Sequence, residues 1–121
     1  MSDFVIQQHR CEQQVHWDLM LRKGDSLATW QVFHPPSDWP QKKLECLHIF
    51  NHHLKYLNYQ GPLSNNRGHV QIVAAGQYQA VEITKNCWRV TLISDKINGR
   101  LELQHQQQDQ WLMQFIGECL C

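Results

Sequence analysis

The chain has 121 residues, of which 42% are hydrophobic, and its formal net charge is zero. A chain of this length and composition is expected to fold as a single domain, residues 1–121, around one core. The zero net charge excludes nucleic-acid binding through bulk electrostatic attraction, so any such contact must be confined to a pocket or an end.

The sequence carries no export or membrane signal. No apolar stretch reaches the roughly 18 residues of a transmembrane helix, and the first residues lack the basic and apolar regions of a signal peptide. We therefore expect a cytoplasmic protein with no membrane contact. The five cysteines form no CxxC pair, which indicates reduced thiols. Cys119 and Cys121 form a C-x-C pair, for which we expect no metal role because chain ends are usually frayed.

The first two predicted strands carry two histidines and an aspartate. Residues 4–8 are a strand pattern that ends at His9, and residues 16–21 alternate between polar and apolar. Because residues two apart share one face of a strand, His16 and Asp18 project together. An antiparallel hairpin would bring His9 beside them. Two imidazoles and a carboxylate with open coordination positions suit Mn²⁺, Fe²⁺ or Zn²⁺.

The middle of the chain alternates strand patterns with breakers. We predict a turn at 23–26, a strand at 27–33, a proline-rich loop at 34–43, a strand at 44–50, a short strand or extended turn at 51–57 and a loop at 58–68. If residues 51–57 are extended, His52 and Tyr56 can share a face.

The second half of the chain repeats short strands. We predict strands at 69–73 (closed by 74–76), 77–84, 87–93, 100–104 and 111–116, with turns at 85–86, at Asn98-Gly99 and at 106–109. No window shows sustained helical periodicity. The pattern predicts an all-β protein, a small closed antiparallel β-barrel with short loops, because closure removes the exposed sheet edges.

Several short motifs stand in order along nearly the whole chain. They are Phe4-Val5-Ile6-Gln7-Gln8-His9, His16-Trp17-Asp18-Leu19, Asn51-His52-His53-Leu54-Lys55-Tyr56, Tyr59-Gln60-Gly61-Pro62, Lys96-Ile97-Asn98-Gly99-Arg100-Leu101 and Trp111-Leu112-Met113. In this order they resemble the 3′-phosphoesterase domain at the N-terminus of bacterial ATP-dependent DNA ligase D, in a short free-standing form.

The resemblance implies a Mn²⁺-dependent phosphoesterase on a compact β-barrel, acting in DNA end repair. Such an enzyme trims 3′ ends of DNA or RNA–DNA primer strands, removing a terminal ribonucleoside and then the 3′-phosphate. The resemblance also implies that His9, His16 and Asp18 bind the metal, with Zn²⁺ or Fe²⁺ as alternative ions. His52 and Tyr56 match residues that hold the phosphate beside the metal. We assign them catalytic roles, His52 as the donor of a hydrogen bond or proton and Tyr56 as a hydrogen-bond donor. A DNA ligase or polymerase acting in trans is a further partner that the resemblance leaves open.

One position departs from the family. An arginine is expected two residues after the metal-binding aspartate, and this chain has Met20 there. A thioether cannot make a charge-assisted hydrogen bond to a phosphate oxygen. Our hypothesis is that Arg67, in the predicted loop 58–68, supplies the missing guanidinium.

Two other functional classes stay open at this point. One is a metal-containing nucleic-acid end-binding module with weak or no turnover, since loss of a phosphate-binding arginine could cripple hydrolysis and spare recognition. The other is a cupin-like metalloenzyme acting on a small molecule, although the further histidine and the glycine-rich motif of cupins are not found. The remaining histidines are predicted to lie at the surface or the rim: His34, His48, His53, His69 and His105.

Overall fold

The computed structural model describes residues 1–120, so Cys121 lies outside the described residues. Within them the chain forms nine β-strands and two single 3₁₀ turns. The strands are β1 (Ser2–Cys11), β2 (Gln14–Lys23), β3 (Ser26–Val32), β4 (Lys43–His53), β5 (Gly61–Pro62), β6 (His69–Ile83), β7 (Cys87–Ser94), β8 (Ile97–Gln107) and β9 (Gln110–Cys119). The 3₁₀ turns are Pro36–Asp38 and Leu54–Leu57. No described helix has the length and apolar character that crossing a membrane requires.

The strands close into an eight-stranded antiparallel barrel. Neighbouring strands follow the order β1-β2-β3-β4-β9-β8-β7-β6, and β6 pairs back onto β1. The two-residue β5 adds to the other edge of β6 at Val70 and His69. The prediction of an all-β, closed antiparallel barrel is therefore confirmed, and its closure leaves β1 paired along both edges.

Strand β6 is longer than the sequence indicated, and the predicted break at 74–76 is wrong. Its first part pairs with β1 and its second part with β7, and Gly76 lies opposite both Phe4 and Ser94. A Cβ at Gly76 would lie 2.3 Å from the carbonyl oxygen of Ile93. The glycine thus permits a close approach between neighbouring strands, and no turn is formed there.

The Asn98-Gly99 pair was also misassigned to a turn. Strand β8 has already begun at Ile97, and the Asn98 side chain hydrogen-bonds the backbone N–H and carbonyl of Ser94. Gly99 lies opposite Gly117 on β9, and a Cβ on Gly99 would lie 2.4 Å from the carbonyl oxygen of Ile116. The dipeptide therefore caps the preceding turn and lets two strands approach closely.

Apolar side chains fill the barrel interior. Every strand from β1 to β9 except the short β5 contributes to this main core, and all five tryptophans are buried. Trp30 is fully buried, and the rings of Trp88 and Trp111 meet it edge-on at 5.1 and 5.6 Å. Burial of each large side chain contributes about 2 kcal/mol to stability. The interior therefore supports the fold, and the polar residues of the predicted site lie elsewhere.

The histidines outside the predicted site fall into two groups. His34, His53 and His69 are exposed, as predicted. His48 is half-buried, because its ring stacks on Trp30 at 4.4 Å and its Nδ1–H donates to the Thr29 carbonyl at 2.9 Å. His105 is also half-buried and contacts Trp111 at 5.5 Å. His48 is thus a packing residue whose ring covers part of Trp30 in the main core.

Candidate metal centre

A second, smaller core covers the outer wall of the barrel. Residues 54–68, which we call the strap, lie across the side of β1, β2 and β3 that faces away from the main core. Val5, Met20 and Leu27 are buried there, packed against partly buried side chains at Leu54, Tyr56, Leu57 and Ile72. The alternation of strand residues explains this arrangement, because Val5 stands between Phe4 and Ile6, which face the main core. The fold therefore has an apolar interior and a separately covered outer wall.

Gln7 fastens the strap to the barrel. Its side chain is only 2% exposed, and its Nε2 donates to the carbonyls of Tyr56 at 2.9 Å and Tyr59 at 3.0 Å. Nearby, the backbone N–H of Ile72 donates to the side-chain oxygen of Gln60 at 2.8 Å. The sequence pattern alone does not single out Gln7, although strict alternation from His9 places it on the same face.

The predicted hairpin of β1 and β2 forms and brings the two histidines and the aspartate together. His9 lies opposite His16 in the register. Nδ1 of His9 is 3.9 Å from Oδ2 of Asp18, and Nε2 of His16 is 3.1 Å from Oδ1 of Asp18. One ligand atom from each residue lies within 4.8 Å of the others. That these three residues bind a metal stays a prediction.

Hydrogen bonding prepares His9 for a ligand role. The carbonyl of Arg67 lies 2.7 Å from Nε2 of His9, and because a carbonyl can only accept, Nε2 carries the proton. Nδ1, the other ring nitrogen, lies on the side of Asp18. Tautomer selection by a backbone carbonyl is typical of metal-binding histidines.

Asp18 gives the clearest indication that a cation fits here. Its side chain is buried, and Oδ1 has no hydrogen-bond partner among residues 1–120, because the close contact with His16 lacks hydrogen-bond geometry. A buried carboxylate oxygen without a donor is energetically costly, and a neighbouring cation would remove that cost. Two imidazole nitrogens and one carboxylate therefore fit a divalent transition-metal ion with coordination positions left open.

His52 lies at the end of β4, and its ring is held in one tautomer. Nδ1 lies 3.2 Å from the carbonyl of Phe50 and 3.0 Å from Oγ1 of Thr29, whose hydroxyl donates to the Leu27 carbonyl. Nδ1 therefore carries the proton, and Nε2 is the nitrogen left for a ligand. Burial lowers the pKa of His52 below 6.5, a change partly opposed by the charge of Asp18.

Tyr56 reaches His52 by a different route from the one expected. The segment after His53 is the 3₁₀ turn Leu54–Leu57, where the sequence indicated a short strand or extended turn. The turn nevertheless places the Tyr56 ring edge-on to His52, with centroids 5.6 Å apart. The predicted pairing of these two side chains is thus achieved by a helical turn.

One cavity of about 400 Å³ joins most of these residues. Five of the six predicted site residues line it: His9, Asp18, His52, Tyr56 and Arg67. Gln7, Gln31, Phe50 and Asn51 are among the other lining residues. His16 contacts Asp18 at 3.1 Å but is not part of the lining. The cavity is large enough for a phosphate and the sugar that carries it.

Arg67 and Met20 have contrasting positions. Arg67 is exposed at the cavity, and its guanidinium donates to the carbonyl and hydroxyl oxygens of Ser64 at 3.0 and 3.1 Å. Met20 is fully buried in the small core beneath the strap. The position where the family resemblance expects a guanidinium is therefore used for apolar packing.

The match to a known family covers most of the chain. The sequence model of the DNA Ligase D 3′-phosphoesterase domain matches residues 7–112. The chain belongs to this family. No curated protein matches it. The resemblance inferred from the ordered motifs is thus confirmed. The roles predicted for the individual site residues stay predictions.

The candidate site also contains residues that the sequence pattern does not indicate. Gln31 lies opposite Asp18 on β3, and its Nε2 is 3.5 Å from Nε2 of His16. Thr29 contacts His52 across the β3–β4 pair. The sequence gives no signal for either contact, because each depends on the register of a third or fourth strand.

Replacement of Gln7 by leucine tests the attachment of the strap. Gln7→Leu should destabilise the protein by about 2 kcal/mol or more, because two strap carbonyls lose their donor. Urea unfolding measures the loss, and hydrogen exchange should show faster exchange within residues 54–68. Gln79→Leu, at an exposed position on β6, should change stability by less than about 0.5 kcal/mol. Equal stability losses in the two variants would contradict the assigned role.

The lowered pKa of His52 predicts a pH dependence of stability. The unfolded chain binds the His52 proton more tightly than the folded protein does. The contribution of neutral His52 to the free energy of unfolding is therefore fully present above about pH 6.5 and is lost as the pH falls. Urea unfolding of metal-free protein between about pH 7.5 and 5 should show a smaller loss of unfolding free energy in His52→Gln than in the wild type. Identical pH profiles would show that His52 is not the responsible group.

Proposed function

We propose that this protein is a Mn²⁺-dependent phosphoesterase acting on 3′ ends of DNA or primer strands. It removes the 3′-phosphate and a 3′-terminal ribonucleoside during DNA end repair in the cytoplasm, where a DNA ligase or polymerase would use the resulting 3′-hydroxyl. The observation that carries the proposal is the buried Oδ1 of Asp18, which has no hydrogen-bond donor among residues 1–120 and lies between two histidines, in the cavity that also holds His52 and Tyr56. Membership of the 3′-phosphoesterase family supports it.

Three side chains would hold the ion: His9 through Nδ1, His16 through Nε2 and Asp18 through its carboxylate. The bound ion supplies charge neutralisation at the phosphate oxygens and lowers the pKa of a water molecule. The Arg67 carbonyl keeps the His9 ring oriented. The same ligand set would also accept Zn²⁺ or Fe²⁺.

His52 and Tyr56 act on the phosphate in this proposal. Arrival of an anionic phosphate raises the pKa of His52, because the added negative charge favours the imidazolium. Nε2–H can then donate to a phosphate oxygen and pass its proton to the leaving 3′-oxygen of the sugar. The Tyr56 hydroxyl supplies a second hydrogen bond to the phosphate. Water adds to the phosphorus as the bond to the 3′-oxygen breaks, so the products are inorganic phosphate and a 3′-hydroxyl end. Removal of a terminal ribonucleoside would break the bond from phosphorus to the 5′-oxygen of that nucleoside in the same way and leave a 3′-phosphate.

A second candidate is an end-binding module of the same family with weak turnover. Met20 supplies no charge, and the Arg67 guanidinium is hydrogen-bonded within its own loop to Ser64. These two observations favour reduced transition-state stabilisation with retained end recognition. The cupin-like alternative has less support, because within residues 1–120 the buried cluster of the barrel interior is hydrophobic and the group of side chains that could hold a metal lies outside it.

Metal and histidine dependence test the enzyme directly. The protein with Mn²⁺ should release phosphate from a 3′-phosphate oligonucleotide, and EDTA should stop the release. His16→Ala should lower both Mn²⁺ affinity, measured by calorimetry, and the rate by at least about a hundredfold, because loss of outer partners alone costs up to that amount. His105→Ala, which alters a residue outside the cavity, should retain both. Phosphate release that is independent of metal would refute the proposal, and metal-dependent end binding without release would favour the binding module.

Arg67→Ala tests the substitute guanidinium. If Arg67 contacts the phosphate, the variant should bind 3′-phosphate ends about tenfold more weakly, which corresponds to the loss of one charge-assisted hydrogen bond. Arg100→Ala, at an exposed position on β8 away from the cavity, should bind as the wild type does. Unchanged affinity in Arg67→Ala would show that the hypothesis is wrong.

A further inference from the structure

The four phenylalanines of the chain divide into two classes. Phe4 and Phe115 are buried in the main core, whereas Phe33 and Phe50 are 51% and 74% exposed. Both exposed rings lie beside histidines of the phosphoesterase site, since Phe33 is 6.1 Å from His16 and Phe50 is 5.0 Å from His52. Of these two, Phe50 lines the cavity.

Phe50 presents a flat apolar surface at the mouth of the cavity. Its ring is nearly parallel to that of His52, with an interplanar angle of 4°. One face of the phenyl group is therefore covered by the imidazole, and the high exposure of the residue leaves the other face to solvent. The Phe50 carbonyl separately accepts from Nδ1 of His52, so the backbone already accounts for the orientation of that histidine. The exposed ring needs another explanation.

A nucleobase is the partner that fits such a surface. The chain has no net charge, so it cannot retain a nucleic acid through a broad basic surface. Base–aromatic stacking supplies affinity without charge and without sequence preference, because every base has a π-face. Two of the proposed metal ligands, His9 and Asp18, line the same cavity as His52 and Phe50, so a phosphate held there brings its own nucleotide to the ring.

We propose that Phe50 stacks on the nucleobase of the 3′-terminal nucleotide. The proposal rests on the proposed function and specifies the substrate further. A base that stacks on Phe50 must leave the neighbouring base of its own strand, so the protein would prefer single-stranded or frayed 3′ ends to fully paired ones. It would show little preference among the four bases.

The test compares two oligonucleotides that end in a 3′-phosphonate, whose C–P bond is not hydrolysed. One carries 2-aminopurine on the terminal nucleotide, and the other is abasic there. With Mn²⁺ present, the wild type should bind the base-carrying end about tenfold more tightly. It should also raise 2-aminopurine fluorescence, because the terminal base leaves the neighbouring base that quenches it. Phe50→Ala should lose both effects and retain its affinity for the abasic end. Phe50→Trp should keep the preference for the base-carrying end, and Phe50→Leu should lose it.

Val81→Ala is the matched control, because Val81 is an exposed apolar residue outside the cavity, and it should behave as the wild type. If Phe50→Ala weakens binding of both ends equally, Phe50 only positions His52 and the proposal is overturned. It is also overturned if neither affinity changes. Phosphate release from hydrolysable ends is measured separately. A protein that prefers the base-carrying end but releases no phosphate would refute the enzymatic proposal and support the stacking proposal.

Discussion

The register of β1 is the constraint on which the rest of the structure depends. This strand pairs with β2 on one edge and with β6 on the other, so it closes the barrel and sets both neighbours at once. A slip of one residue would turn every side chain of the strand to the opposite face. Gln7 and His9 would then face the apolar interior, and Ile6 would lie under the strap. The same pairing that completes the fold therefore also assembles the candidate metal ligands.

Alternation in the sequence was enough to predict the local part of the site. His9, His16 and Asp18 lie on two consecutive strands joined by a tight turn, so one hairpin brings them together. The closed all-β fold was likewise predictable from strand spacing and from the absence of helical periodicity. The motif order was specific enough to identify the family, since each short segment alone is a weak signal.

The rest depended on contacts between distant parts of the chain. Gln31 and Thr29 join the site only through the register of β3, and the position of Tyr56 depends on a 3₁₀ turn. Two glycine-containing segments were taken for turns because glycine serves both turns and close strand contacts, and only the assembled barrel distinguishes these uses. The sequence points to the side chain of Arg67, whereas its backbone carbonyl is the atom that contacts Nε2 of His9.

The position of the site on the outer wall has a consequence for how this protein can change over time. Residues that face the main core and residues that face the strap alternate along the same strands, so the two sets can vary almost independently. Met20 is an example, because an apolar side chain there adds to the packing of the strap and leaves the main core untouched. Evolution can thus adjust recognition at the wall while the interior preserves foldability, which is a form of robustness that an active site inside the barrel would lack.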